Sequence, residues 1–388
     1  MFEKSTAELE ELGAVATTSE INQQPDIWLD TFDVYTQHAN EVRAFLESAR
    51  PAEGGCVTVV FTGAGSSEYV GNTCSPYLRS VVRGHGFDFK PVASTDLVSA
   101  PTQFLSPDDP TVLVSFARSG NSPESLAAIE VVRTVCTSVK FLNITCAPDG
   151  RLATEMQNDP DALTLLLPKA NDDGFAMTGS YSCMHLLATL LFDPSDDDSK
   201  RAWVEAASRL GRDVLRREEQ VSSYVEGDFS RVTYLGSGAL GGLAQEAQLK
   251  ILELAAGETA TSFGTSMGYR HGPKSFVDAS TLVFLFVSND HYTRQYDLDM
   301  LNEIKADGIC KRVVAIEQDT GELFGGTSFD LSGEEALPDG YLVLPFVIFG
   351  QTIALHNSIR VDDTPDTPSP TGQVTRVVHG VTIHPFVV

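Results

Sequence analysis

The feature that most limits what this chain can fold into is an internal repeat. The segment VTVVFTGAGSSEYVG at 57–71 is answered by RVTYLGSGALGG at 231–242, and their first glycines, Gly63 and Gly236, lie 173 residues apart. Each copy is a short apolar, β-branched run that ends in glycines and opens onto a helical pattern. A buried parallel strand turns into a helix N-terminus in this way. Later segments answer one another in the same order. TVLVSFARSGN (111–121) matches STLVFLFVSND (280–290), and VKFLNITCAPDG (139–150) matches CKRVVAIEQDTG (310–321). ALTLLLP and the apolar stretch Ala176–Phe192 match YLVLPFVIFGQTIALHNS at 341–358. Two long copies mean two α/β domains, because a solenoid needs three or more short units. Strands alternate with helices, so each sheet is expected to be parallel with helices on both faces.

At 388 residues the chain is long enough for two cores. Ahead of the first strand, Trp28–Ala49 has apolar positions at helical spacing, and Pro25 is expected to break or start that helix. The expected division is a helical arm over 1–50, a first domain over 51–205 and a second over 206–388. The charged stretch 195–228 should be a helical join.

Charge narrows the partners. Lys and Arg number 27 against 53 Asp and Glu, a formal net charge of −26. Phosphate backbones attract basic faces, so nucleic acid is not an expected partner, nor is a membrane surface. The longest apolar runs, Thr281–Val287 and Tyr341–Gly350, fall far short of the roughly 20 residues that span a bilayer. The start, Met1-Phe2-Glu3-Lys4, does not read as a signal peptide. The six cysteines (56, 74, 136, 146, 183 and 310) have no metal-binding spacing and read as reduced thiols. A cytoplasmic protein is expected.

Three constellations carry chemistry. Gly63-Ala64-Gly65-Ser66-Ser67 follows a strand and opens a helix, where unpaired N–H groups and the helix dipole favour an anion. On its own this motif fits a phosphate loop or a plain tight turn equally well; a dinucleotide fingerprint would need a third glycine and a later acid. The second constellation, Ala117-Arg118-Ser119-Gly120-Asn121-Ser122, stands after another strand, with Pro123 at the first helical position. Ligands of open α/β sheets bind at the carboxyl ends of strands, so the two serine-rich loops together favour a phosphate site. The third lies at 249–278. Lys250 and Glu253 share a helix face at i and i+3, which alone also fits an exposed salt bridge. His271-Gly272-Pro273-Lys274 follows a glycine-rich loop and offers the side chain best matched to proton transfer near neutral pH.

With these residues in view, the chain resembles the sugar isomerase (SIS) superfamily. GAGSS, SGNS and K-x-x-E followed by R-H-G-P are shared with the isomerase half of glucosamine-6-phosphate synthase. FAMTGSYSCM (175–184), GYRHGPKSFVD (268–278), YTRQYDLD (292–299) and TPDTPSPTGQVTRVVHGVTIHPF (364–386) look like the tagatose-6-phosphate ketose/aldose isomerase and galactosamine-6-phosphate deaminase group. The resemblance implies tandem flavodoxin-like SIS domains, with a C-terminal active-site segment in the second. It implies that Gly65, Ser66, Ser67, Arg118, Ser119 and Ser122 bind a sugar phosphate and that Thr178 lies near the sugar. It gives Glu253 the proton transfer between C2 and C1, and His271 the ring opening, from a neighbouring subunit of a homodimer. Lys250 precedes that glutamate as in the synthase. Gln373 stands where the synthase has a Schiff-base lysine, and no N-terminal nucleophilic cysteine leads the chain. Arg118, in place of a glutamine, compensates for Ala117 in place of a serine.

The implied reaction converts galactosamine 6-phosphate to tagatose 6-phosphate and ammonia, with no cofactor or metal. A ketose/aldose isomerase without deamination is the alternative. A phosphosugar-binding regulator is another, opposed by the presence of both Glu253 and His271 and by the acidic arm.

Overall fold

The computed structural model describes residues 1–51, 54–369, 371–372, 374–377 and 380–387. Its strands are β1 (Val57–Thr62), β2 (Phe87–Pro91), β3 (Thr111–Ala117), β4 (Val139–Thr145), β5 (Ala162–Leu166), β6 (Arg231–Gly236), β7 (Ala260–Gly264), β8 (Thr281–Phe286), β9 (Arg312–Gln318) and β10 (Thr327–Leu331). They form two five-stranded sheets, ordered β2-β1-β3-β4-β5 and β10-β9-β8-β6-β7. Every pairing is parallel. Read from the other edge, the second sheet is β7-β6-β8-β9-β10, the order of the first. The repeat seen in the sequence is therefore a repeat of topology, and each sheet reverses direction of growth between its first and third strands. That reversal is the switch point at which doubly wound folds bind ligands.

The central strands explain their own sequences. All of β3 (TVLVSFA) and all of β8 (TLVFLF) are buried, and continuous apolar runs are what a strand covered on both faces requires. Three edge strands, β2 (FDFKP), β7 (ATSFG) and β10 (TSFDL), went unread in the sequence because only part of each is buried.

Packing divides the chain into two compact units. One comprises Met1–Leu29, Asp173–Thr178 and Asp197–Gln373 and holds the second sheet; the other comprises Asp30–Asp172, Gly179–Asp196 and Val374–Val388 and holds the first. In the first-sheet unit, Val60, Leu113, Val132, Phe141 and Leu152 share one cluster, against which Phe386 from the C-terminal segment packs. In the second-sheet unit, Leu235, Val283, Leu285, Leu301 and Ala315 share another with Tyr269.

Two expectations are corrected. Pro25 neither breaks nor starts a helix but lies inside the helix Val15–Ser48. Proline removes the N–H that would meet the carbonyl of Ile21, and the Gln24 side chain donates to that carbonyl instead, at 3.3 Å. The Pro25 carbonyl accepts from Ser208 Oγ at 2.7 Å. Second, the stretch from Tyr341 onward does not begin with a strand: Asp339–Arg360 is a single helix, and β10 is the fifth strand. A fully buried helix and a buried strand both read as unbroken apolar sequence. Among the described residues, this helix alone is long and apolar enough to cross a membrane, and most of it is buried within the protein.

Candidate active site

The first switch point is built from two turns. A Cβ at Gly63 would fall 2.5 Å from the Ser67 backbone carbon. Gly65 has φ +59° and ψ −131°, a conformation open essentially to glycine alone. The chain can then reverse tightly and start the helix Ser66–Val81 with Ser66 and Ser67, 4% and 5% exposed. The turn after β3 lies alongside, because β1 and β3 pair directly, with Thr62 opposite Ser115. Gly120 has φ +65°, and Ser122 precedes the helix Pro123–Val135 with its hydroxyl 2.6 Å from that of Ser125. Ser119 Oγ accepts the Asn121 N–H at 3.3 Å, and Asn121 Oδ1 accepts the Arg151 N–H at 3.0 Å. Gly65, Ser66, Ser67, Arg118, Ser119 and Ser122 thus share one edge of one sheet. Hydroxyls, a guanidinium and two helix N-termini all favour an anion there.

Arg118 is nearly buried, and its Nη2 donates to the Arg376 carbonyl at 2.8 Å. Arg376 in turn donates to the Asp172 carbonyl. The Asp172 carboxylate accepts the N–H groups of Gly179 and Ser180, each at 2.9 Å, and so caps the helix Gly179–Phe192. The C-terminal segment is therefore tied to Arg118, a link that no local motif announced.

In the second-sheet unit, the helix Ala239–Leu254 carries Glu246, Lys250 and Glu253 on one face. Lys250 is fully buried, so the pair is not an exposed salt bridge. Its Nζ lies 2.5 Å from Glu253 Oε2 and 3.4 Å from Glu246 Oε1. Burial by itself would lower the lysine pKa, but the two carboxylates outweigh it and raise the value. The lysine is a fixed cation that orients Glu253, whose side chain is 27% exposed and open to a ligand. Glu246, fully buried, was missed in the sequence; the signal was present in its i−4 spacing from Lys250.

His271 is exposed at the end of the short 3₁₀ turn Gly268–Arg270, and no hydrogen bond joins its ring to Glu253. Thr178 is fully buried in the second-sheet unit, where its carbonyl accepts from Gln351 Nε2 at 3.3 Å. Gln373 lies outside the described residues.

Paired parallel sheets of identical strand order, with a hydroxyl-lined switch point in one and a lysine-held carboxylate beside the other, define a tandem SIS-type α/β enzyme. No protein-family model matches the chain. Individual proteins do. It is 35% identical over 386 residues, 99% of this chain and 95% of the relative, to a D-galactosamine-6-phosphate deaminase AgaS of Shewanella sp. (strain ANA-3). A Clostridium novyi NT structure provisionally named a tagatose-6-phosphate ketose/aldose isomerase matches at 36% identity and TM-score 0.91, covering 100% of this chain and 99% of the other. The tagatose-6-phosphate ketose/aldose isomerase structure from Escherichia coli matches at 35% identity and TM-score 0.86, over 96% of this chain and 97% of that one. The chain belongs to the D-galactosamine-6-phosphate deaminase AgaS family.

Proposed function

We propose that this protein converts galactosamine 6-phosphate to tagatose 6-phosphate and ammonia. The end-to-end match to a named galactosamine-6-phosphate deaminase carries the proposal. The geometry supports it. The 6-phosphate docks on the two serine turns, with Ser66, Ser67, Ser119, Ser122 and the Arg118 guanidinium as donors, and binding there helps fix the reacting carbons. His271 moves the proton that opens the pyranose ring. Glu253, held by Lys250, takes the proton from C2 and returns it to C1 through an enolamine. The C2 ketimine so formed takes up one water and releases one ammonia, leaving the ketose.

Within the same proposal, the working unit is a homodimer in the cytoplasm, and His271 acts on the site of the partner copy. Its exposure and lack of a hydrogen bond to Glu253 support that placement. A second reading, ketose/aldose isomerisation without ammonia release, is favoured by the names of the two matching structures. The test is ammonia release by the purified protein from galactosamine 6-phosphate and glucosamine 6-phosphate in parallel. Release from the galacto epimer is expected. Silence with both, together with turnover of tagatose 6-phosphate to an aldose phosphate, would replace the deaminase by the isomerase.

A further inference from the structure

The second switch point, between β6 and β8, is already occupied by the protein itself. The turn Gly236-Ser237-Gly238 repeats the first turn's backbone, with Gly238 at φ +57° and ψ −125°, and Ser237 stands where the first turn has Ala64. No ligand is needed to satisfy this edge, because Asp297 from the helix His291–Asp307 reaches into it. Its Oδ1 accepts from Ser237 Oγ at 2.6 Å and Ser266 Oγ at 2.5 Å, and its Oδ2 accepts the Ser288 N–H at 3.0 Å. The carboxylate is fully buried and ties three loops together. One of them leads to His271.

The same helix holds the rest of that loop. Glu303 accepts from Arg270 Nε and from Lys274 Nζ, each at 2.5 Å, and Asp307 lies 2.5 Å from Lys274 Nζ. Ser266, Arg270 and Lys274 are thus fastened on both sides of His271 by three acids from one helix. Tyr269, fully buried, adds hydroxyl contacts to Thr233 at 3.1 Å and Ser262 at 3.3 Å. Around an exposed histidine, the side chains of Ser266, Tyr269, Arg270 and Lys274 are each held in place. Such an arrangement is unneeded for a surface residue and useful for one that must meet a reacting atom within a fraction of an ångström.

We propose that the helix His291–Asp307 is a positioning platform for His271, and that Asp297, an internal anion filling the second switch point, is its central anchor. This rests on the reading of His271 as the ring-opening group. Asp297 is a positioning residue: it acts through Ser266 and the loop, and it touches no substrate.

The test is a set of double-mutant cycles with galactosamine 6-phosphate, measuring kcat and KM for Ser266→Ala, Asp297→Asn and Glu303→Gln, each alone and combined with His271→Ala. In the His271 background each single change is expected to lower kcat by about 10-fold, with KM within about 2-fold. Combined with His271→Ala, the same changes should cost almost nothing further, because positioning has no value once the ring is gone. A general structural role would instead lower kcat by the same factor in both backgrounds, and that outcome overturns the proposal. So does full activity in Ser266→Ala and Glu303→Gln, which cover the case in which Asp297→Asn fails to fold. Full activity of His271→Ala would instead overturn the role given to the histidine, and the platform with it.

Discussion

The turn after β1 and the turn after β6 have nearly the same backbone: Gly65 at φ +59° and ψ −131°, Gly238 at φ +57° and ψ −125°. What differs is the chemistry each edge holds. The first turn opens its helix with Ser66 and Ser67, and its neighbour adds Arg118, Ser119 and Ser122. The second opens its helix with Ala239 and Leu240, and the space beside it takes the Asp297 carboxylate. The first edge is the one proposed above to take the substrate's phosphate, and the second is filled by a carboxylate of the protein itself. Glu253, proposed above as the base, lies on the helix that starts at this second turn. Under the proposed reaction, the two copies divide the work: one holds the phosphate and the other carries the base.

The largest effect that would test this separation is expected at Glu253. Glu253→Gln should lower kcat by about 10²–10⁴-fold, because a positioned general base contributes about that much. The dissociation constant for the sugar phosphate, measured by calorimetry, should stay close to that of the parent protein. Ser66→Ala and Ser67→Ala should do the reverse: each removes a hydrogen bond to a charged group and should raise KM by about 10-fold with little change in kcat. If Glu253→Gln weakens binding as much as the serine changes do, the division of labour between the sheets is wrong.

A smaller effect comes from the shared backbone. No atom lies within 4 Å of a Cβ built at Gly65 or at Gly238, so alanine there meets backbone strain alone. Gly65→Ala and Gly238→Ala should each cost about 1–3 kcal/mol in urea unfolding. The two costs should be similar, because the dihedrals are. Under the proposed reaction, only Gly65→Ala should also raise KM, since only that turn is assigned the phosphate. Equal rises in KM would mean that the second edge still binds substrate.

How far the sequence reveals these two edges depends on what kind of signal each uses. The central strands are legible because burial on both faces forces unbroken apolar runs, as in β3 and β8. The edge strands β2, β7 and β10 are not, because partly exposed backbone tolerates Asp, Lys and Ser. Glycines and serines at a strand end announce the first switch point, since the donors that the proposed reading assigns sit on the turn itself. The second is silent. Asp297 lies on the helix after β8, in a sequence where acids outnumber bases about two to one, so it reads as one more solvated charge. The YTRQYDLD motif carries part of the family resemblance but assigns this helix no role. In the structure, Arg294 and Asp297 are its buried charged members; Arg294 lies 2.9 Å from Glu317, itself fully buried. Burial of a charge depends on partners distant in sequence, and no local pattern contains them.

The smallest expected effect is a pH dependence confined to the second edge. Burial pushes the Asp297 carboxyl above the ordinary range, against the lowering effect of its three hydrogen bonds and of Arg294. Asp339, which accepts from Ser288 Oγ at 2.6 Å, is raised for the same reason, and Asp297 and Asp290 repel its charge. A carboxyl whose folded pKa lies above its unfolded value binds its proton more readily in the folded state. Folding then gains stability as pH falls through the raised value, and the gain levels off below the ordinary carboxylate range. Asparagine at 297 cannot take up that proton. The stability deficit of Asp297→Asn relative to the parent, from urea unfolding between neutral and mildly acid pH, should therefore widen as the pH drops. Ser66→Ala, at the first edge, changes no titrating group, and its deficit should stay flat over the same range. A deficit that narrows on acidification would mean that the charged form of Asp297 is the favoured one and that its three donors more than offset burial.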